Sequence, residues 1–305
     1  MAQIAPYLWV IFTLAGAAGQ TARNAMQREL TPALGAPGAT LVRFLFGFPF
    51  ALAFLLILLA WTGAGLPSIN GSFVAWTVLG ALTQIAATAL MLLTMERRSF
   101  VVTIAYLKTE PLLVAAMGLL LLHDPLTPAM AAAIVIAVAG VALISVKPDA
   151  LTGGLTPALL GISSAGLFAA SAIGYRGAIL ALHAPGYLLP AAFSLAAGLT
   201  LQTLLLLAWL LMVRRDILAA LLRLWRPSLA AGFTGAAASQ FWFLAFALAT
   251  AASVRTLALV EVLFAQGVSK FVFRQKTTAR EAIGIALLLA GAGLIVWVSR
   301  SPRSG

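Results

Sequence analysis

Two glutamates, Glu110 and Glu261, stand inside apolar stretches, and 151 positions separate them. Holding an ionised carboxylate at mid-depth in a bilayer costs about 2.5 to 3.5 kcal/mol on insertion scales. Such a side chain either faces a wet cavity or a partner and serves a pathway, or is protonated and only ties neighbouring helices together. Pro111 follows Glu110; it has no N–H, so the carbonyl of Leu107 loses its usual partner and a kink is predicted there. Lys108 lies about 200° around an ideal helix from Glu110, which rules out direct pairing on such a helix. It meets Glu261 or a substrate carboxylate across a cavity, or snorkels toward headgroups. Tyr106, four residues before Glu110, shares its face. Lys270, beside Arg274 near the end of its stretch, reads as a snorkelling lysine.

Further candidate lining comes from Thr83, Gln84 and Thr88 in one stretch and Ser239, Gln240, Phe241, Trp242 and Phe243 in another. That mix suits an amphipathic solute; core packing of the aromatics and interhelical bonding of Gln84 and Gln240 are the structural alternatives. The candidate substrate-binding set is therefore Gln84, Tyr106, Lys108, Glu110, Gln240, Trp242 and Glu261, with Pro111 as a kink. Tyr175 and Arg176 read as interfacial anchors. A lipid-modifying membrane enzyme would need a His, Asp and nucleophile cluster; His123-Asp124 is the one candidate, with no nucleophile beside it in sequence. The chain has no cysteine and only two, isolated histidines, His123 and His183, so neither a metal nor another cofactor is expected. No G-x-x-x-x-G-K-[ST] spacing occurs, so the chain does not itself hydrolyse ATP.

The elements that carry these residues are apolar and helix-length. With 62% hydrophobic and 9% charged residues and a mean hydropathy of +1.05, the 305-residue chain has too little polar surface for water, and lipid must be its solvent. Runs of about 20 residues point to helices rather than to the strands of a membrane barrel. Ten transmembrane helices are predicted at 7–24, 39–61, 73–94, 100–122, 126–146, 156–178, 188–212, 228–249, 254–273 and 281–299. Leu30 to Gly38, with two prolines and two glycines, reads as a loop, and Arg214 to Arg226 as a short interfacial amphipathic helix. The net charge of +11 sits between spans, so it reads as a topology signal and headgroup contact rather than a nucleic-acid surface. Arg23, Arg28, Arg97, Arg98, Lys147, Arg214, Arg215, Arg223, Arg226, Arg274, Lys276 and Arg280 fall on one side. Arg176, Arg255, Arg300 and Arg303 fall on the other, which puts both termini outside. The apolar N-terminal run lacks a preceding basic residue and reads as a retained span.

Glu110, Thr127, Gly140, Leu143 and Ile144 recur as Glu261, Thr278, Gly291, Leu294 and Ile295 at the same 151-residue offset. Residues 1–149 and 150–305 thus read as two five-helix repeats. An odd number of crossings inverts the second copy in the membrane, and the pair is expected to enclose a central cavity between helices one, three, four, six, eight and nine.

On these residues the chain resembles the drug/metabolite transporter superfamily, and within it the ten-helix EamA-type transporters with two EamA repeats. Thr109-Glu110-Pro111, the apolar run to Leu122, the turn His123-Asp124, Thr127, Gly140 and Arg43 opening the second helix carry the resemblance. The second repeat departs from it, with Val262 in place of the proline and Gln275-Lys276 in place of the acidic turn. The resemblance implies export of small metabolites, amino acids foremost, across a bacterial inner membrane by alternating access, with a coupling proton as a further partner and Glu110 as the main charged contact. Drugs, sugars, nucleosides and cationic compounds are the alternative solutes, and a passive channel the alternative mechanism. Many members are described with cytoplasmic termini, the reverse of the charge bias.

Overall fold

A computed structural model describes residues 7–97, 100–145, 155–263 and 278–299. Regular structure among them is helical: α1 (Leu8–Leu45), α2 (Phe48–Thr62), α3 (Gly71–Arg97), α4 (Phe100–Leu107), α5 (Glu110–Leu121), α6 (Pro128–Ser145), α7 (Leu155–Ala181), α8 (Leu188–Val213), α9 (Arg215–Arg223), α10 (Trp225–Leu248), α11 (Ala251–Ala258) and α12 (Ala279–Val298). Among the described residues, eight helical segments are long and apolar enough to cross a membrane. Leu56, Ile57, Val135, Leu204 and Ile283 point outward and are each more than half exposed. In water, so much bared aliphatic surface would drive association; against acyl chains it costs nothing. The chain is a multi-pass, all-α integral membrane protein. Lys147 to Gly154, which contains the expected boundary between repeats, lies outside the described residues, as do Arg98, residues 264–273 of the expected ninth span, Lys270, Arg274, Gln275-Lys276, Arg300 and Arg303.

The expected Leu30 to Gly38 loop is not a loop. Helix runs on to Leu34 and resumes at Ala36, and only Gly35 leaves helical geometry, at φ 65° and ψ 169°. Two prolines are tolerated because Pro37 falls in the first turn after the break, where an N–H has no intrahelical partner to lose. Gln27 Nε2 donates to the carbonyl of Ala39 at 2.9 Å and ties the two arms together. Gly35's backbone combination is one that L side chains scarcely adopt. Gly35→Ala is expected to lower stability by about 1–3 kcal/mol, measured by denaturant unfolding in micelles. Gly63, an exposed left-handed helix cap at φ 64° with open space around it, tolerates Asn.

Below this bend lies α9, whose expected amphipathic character is present but whose apolar face is turned to protein. Ile217 and Leu221 are buried with Leu30, Leu34, Leu41 and Val42, and Gly38 leaves the space that Ile217 fills. Asp216 sits in the first turn, where the helix dipole favours an acid, and a hydrogen bond from Arg214 holds its carboxyl below the usual range.

The fourth predicted span is two helices. Lys108 and Thr109 leave α-helical bonding, their amides reaching back only three residues to Ala105 and Tyr106 at 3.2 Å, and helix restarts at Glu110. Pro111 occupies the first turn of the new helix. The same interruption occurs in the second half at Leu259 and Val260, after which residues 261–263 are helical again. That site has Val262 where the first has Pro111, so such a break does not require proline, and the disturbance expected in the turn before Pro111 takes the form of a full break. Both glutamates are first residues after a break.

Packing between the halves is reciprocal. A Cβ placed on Gly140 would lie 2.6 Å from Leu288 N and 2.7 Å from Gly284 O; one on Gly291 would lie 2.6 Å from Ala137 N and 2.7 Å from Ala133 O. Shifting each of Ala133, Ala137 and Gly140 by 151 gives Gly284, Leu288 and Gly291. The α6–α12 crossing is thus made by the same positions on both helices, the pattern of a two-fold contact. Likewise α1 packs most on α10 and α7 most on α3, so the opening helix of each half lies against the third long helix of the other. Thr127 and Thr278 each accept a hydrogen bond at the start of α6 and α12, from Met130 N and Glu281 N.

Candidate functional site

The two interrupted helices bring their glutamates to the centre of the bundle, and each carboxylate finds its cation in the opposite half. Lys108 Nζ is ion-paired with Glu261, which also accepts from Thr21 Oγ1 at 3.3 Å. Arg255 Nε lies 3.0 Å from Glu110 Oε1. Neither of those two atoms has a partner aligned for a hydrogen bond, so the contact is Coulombic and undirected. These four side chains are no more than 12% exposed. Lys108 thus takes the first of its expected routes, across to Glu261. The unwinding at Lys108 and Thr109 is what frees it from the ideal-helix face.

Arg255 also stacks its guanidinium over Trp242, 4.4 Å from the ring centroid, and over Phe246 at 5.4 Å. One planar group therefore serves a carboxylate and aromatic rings together, a combination for which guanidinium is better suited than ammonium.

A cavity of about 40 Å³ adjoins these pairs, walled by Gln20, Arg23, Asn24, Lys108, Glu110 and Pro111 of the first half and Phe168, Arg255, Ala258 and Glu261 of the second. A second void of about 10 Å³ lies beside it among Arg43, Gln84, Tyr175, Ser239, Trp242, Phe243 and Phe246. Gln20, Phe168 and Arg255 border both. Waters fit in such spaces, but a metabolite does not. These two voids are therefore smaller than the solute-sized central cavity expected, whose ninth-helix wall at 264–273 lies outside the described residues. Both carboxylates are closed against partners, with a small void between the halves.

Of the candidate residues, Glu110, Lys108 and Glu261 meet at the first cavity and Gln84 and Trp242 border the second. Gln84 Oε1 accepts from Gln202 Nε2 at 2.9 Å. Tyr106 instead packs over Gly161 of α7, and Gln240 borders neither void, its buried Oε1 without a hydrogen-bond partner.

Lys108 apart, the buried cations are not evident from spacing. Arg23, Arg176 and Arg255 were counted as surface topology signals, and all three are buried. With them removed from the tally, the bias carried by the remaining Lys and Arg between spans keeps its direction. Tyr175 is no interfacial anchor either: at 2% exposure its ring fills the gap between Gly80 and Gly198. Arg176 grips Asp124 through two bonds of 3.0 and 3.1 Å and caps the end of α10 through the carbonyls of Phe246 and Ala249, both at 2.5 Å. Both carboxylate oxygens of Asp124 are thereby engaged by Arg176. A signal was present in the sequence, because Arg23, Arg43, Lys108, Arg176 and Arg255 all fall inside predicted spans and outnumber the two glutamates there.

No family model and no curated protein matches this sequence. Among solved structures, a crystal structure of a protein aligns over 99% of this chain and 98% of its own, with TM-score 0.63 and 15% identity. That likeness is one of fold.

Proposed function

We propose that this chain is a secondary transporter that exports small metabolites, amino acids foremost, across a bacterial inner membrane by alternating access without ATP. The observation that carries the reading is the crossed pairing at the broken helices: Glu110 with Arg255 and Glu261 with Lys108, each bond spanning the two halves around one cavity. Interrupted helices at a repeat interface are a recurrent way for transporters to present polar groups inside the bilayer. The reciprocal α6–α12 contact and the shared break, cap and crossing positions support two inverted five-helix repeats and ten crossings. They also favour the kinship with EamA-type members of the drug/metabolite transporter superfamily. In this reading the cavity between the halves opens to either side as the ion pairs exchange partners with solute, water or a proton. Glu110 is the main charged contact or proton carrier, and the charge bias places both termini outside.

The test is exchange in proteoliposomes loaded with a panel of unlabelled amino acids, followed by entry of radiolabelled amino acid. Saturable, counter-stimulated uptake is expected. Glu110→Gln, which keeps the side-chain shape but removes its charge, is expected to slow uptake and flatten its pH dependence. Linear, non-saturating flux would mark a channel, and an unchanged pH profile in Glu110→Gln would remove the carboxylate from the cycle.

A further inference from the structure

Charge around the two voids does not balance. Arg23, Arg43, Lys108 and Arg255 border them, against only Glu110 and Glu261. Arg255 and Lys108 hold the carboxylates, and among the described residues neither Arg23 nor Arg43 is in an ion pair. Arg43 Nη1 donates to Thr88 Oγ1 at 3.0 Å, a neutral acceptor. Arg23 is 1% exposed; its Nη2 donates to Asn24 Oδ1 at 2.9 Å, while Nε and Nη1 have no acceptor among the described residues. The stems of Arg23 and Arg43 converge over Gly235, where an added Cβ would come within 3.0 Å of Arg23 Cδ and 3.9 Å of Arg43 Cγ.

A buried guanidinium with unfilled donors is costly to maintain unless an anion completes it in some state of the protein. Arg presents a planar fork of donors, which a carboxylate matches in pairs. The second void adds an apolar wall for the rest of a ligand: Trp242, Phe243 and Phe246 line it together with Arg255.

We propose that the pocket takes organic anions, namely carboxylates carrying an aromatic or apolar body, with the acid group held by Arg23 and the body among Trp242, Phe243 and Phe246. This rests on the transporter reading and names its solute class. Two uncompensated positive charges select against cations, so cationic compounds are poor ligands of this site.

The experiment is thermal unfolding of the purified full chain in uncharged detergent with 3-phenylpropionate, its amide, 3-phenylpropylamine or sodium sulfate. A rise in Tm with phenylpropionate alone is expected, because only a ligand that prefers the folded state stabilises it. Arg23→Gln is expected to weaken phenylpropionate binding at least tenfold, and Arg23→Lys less so. An equal rise with the amide or the amine would overturn the anion assignment. A rise with sulfate that phenylpropionate does not exceed would reduce the site to one for inorganic ions and overturn the organic part. If Arg23→Gln does not fold, the four-ligand panel on the unaltered chain decides alone. Binding of phenylpropionate without its counterflow in vesicles would sink the transporter reading and keep the site; counterflow of amines with no phenylpropionate binding would do the reverse.

Discussion

Arg176→Met is expected to destabilise the protein by about 3–5 kcal/mol, the cost of leaving one member of a buried ion pair without the other. The guanidinium is surrounded by acceptors: two oxygens of Asp124 and the carbonyls of Phe246 and Ala249. Removing it strands a carboxylate and two helix-end carbonyls in a region with little water. Asp124→Leu alone should cost a similar amount, since it orphans the arginine. Made together, the two apolar replacements should cost clearly less than the sum of the single ones, because no charge is left behind. Unfolding titrations of the wild type, both single variants and the double variant measure the coupling. Strict additivity would mean that the pair contributes no joint stability.

Gly140→Leu and Gly291→Leu are expected to cost about 3 kcal/mol each, the upper part of the range for overpacking, and to cost the same. At both positions the obstructing atoms are backbone, so no side chain can swing away and the helices must separate. Equality is the sharper half of the expectation. It follows from the two-fold contact, in which each glycine meets the counterparts of the residues that the other meets. Gly293, on the same helix with nothing within 4 Å of an added Cβ, provides the control. Gly293→Ala should be neutral or stabilise by up to about 1 kcal/mol through helix propensity. A large gap between the two leucine variants would mean that the crossing is not symmetric.

Those glycines also show how much was legible beforehand. The residues that recur at 151 positions hold matching places in the fold: Glu110 and Glu261 restart a helix, Thr127 and Thr278 cap one, and Gly140 and Gly291 make the crossing. Repetition singled them out because geometry constrains each place to a few residue types. The N-terminal turn was misread since Pro32, Gly35 and Pro37 look like a loop, whereas helix geometry is left only at Gly35 and Pro37 falls in a first turn. Arg23, Arg176 and Arg255 were misread because a charge near a predicted helix end looks interfacial from spacing alone. Whether it snorkels outward or turns inward depends on partners far along the chain, such as Glu110 for Arg255 and Asp124 for Arg176, and no local pattern encodes those.

The arginine grip on Asp124 is not written into the sequence repetition. Positions 151 residues away from its members hold Ala25 and Gln275, which can form no such bond. Asn70, at the same end, adds a 2.7 Å bond from Nδ2 to the carbonyl of Ala181. The corner where α5 turns into α6 is therefore fastened by bonds that the 151-residue repetition does not dictate. In the transporter proposed above, a corner so fastened would resist opening on its own side.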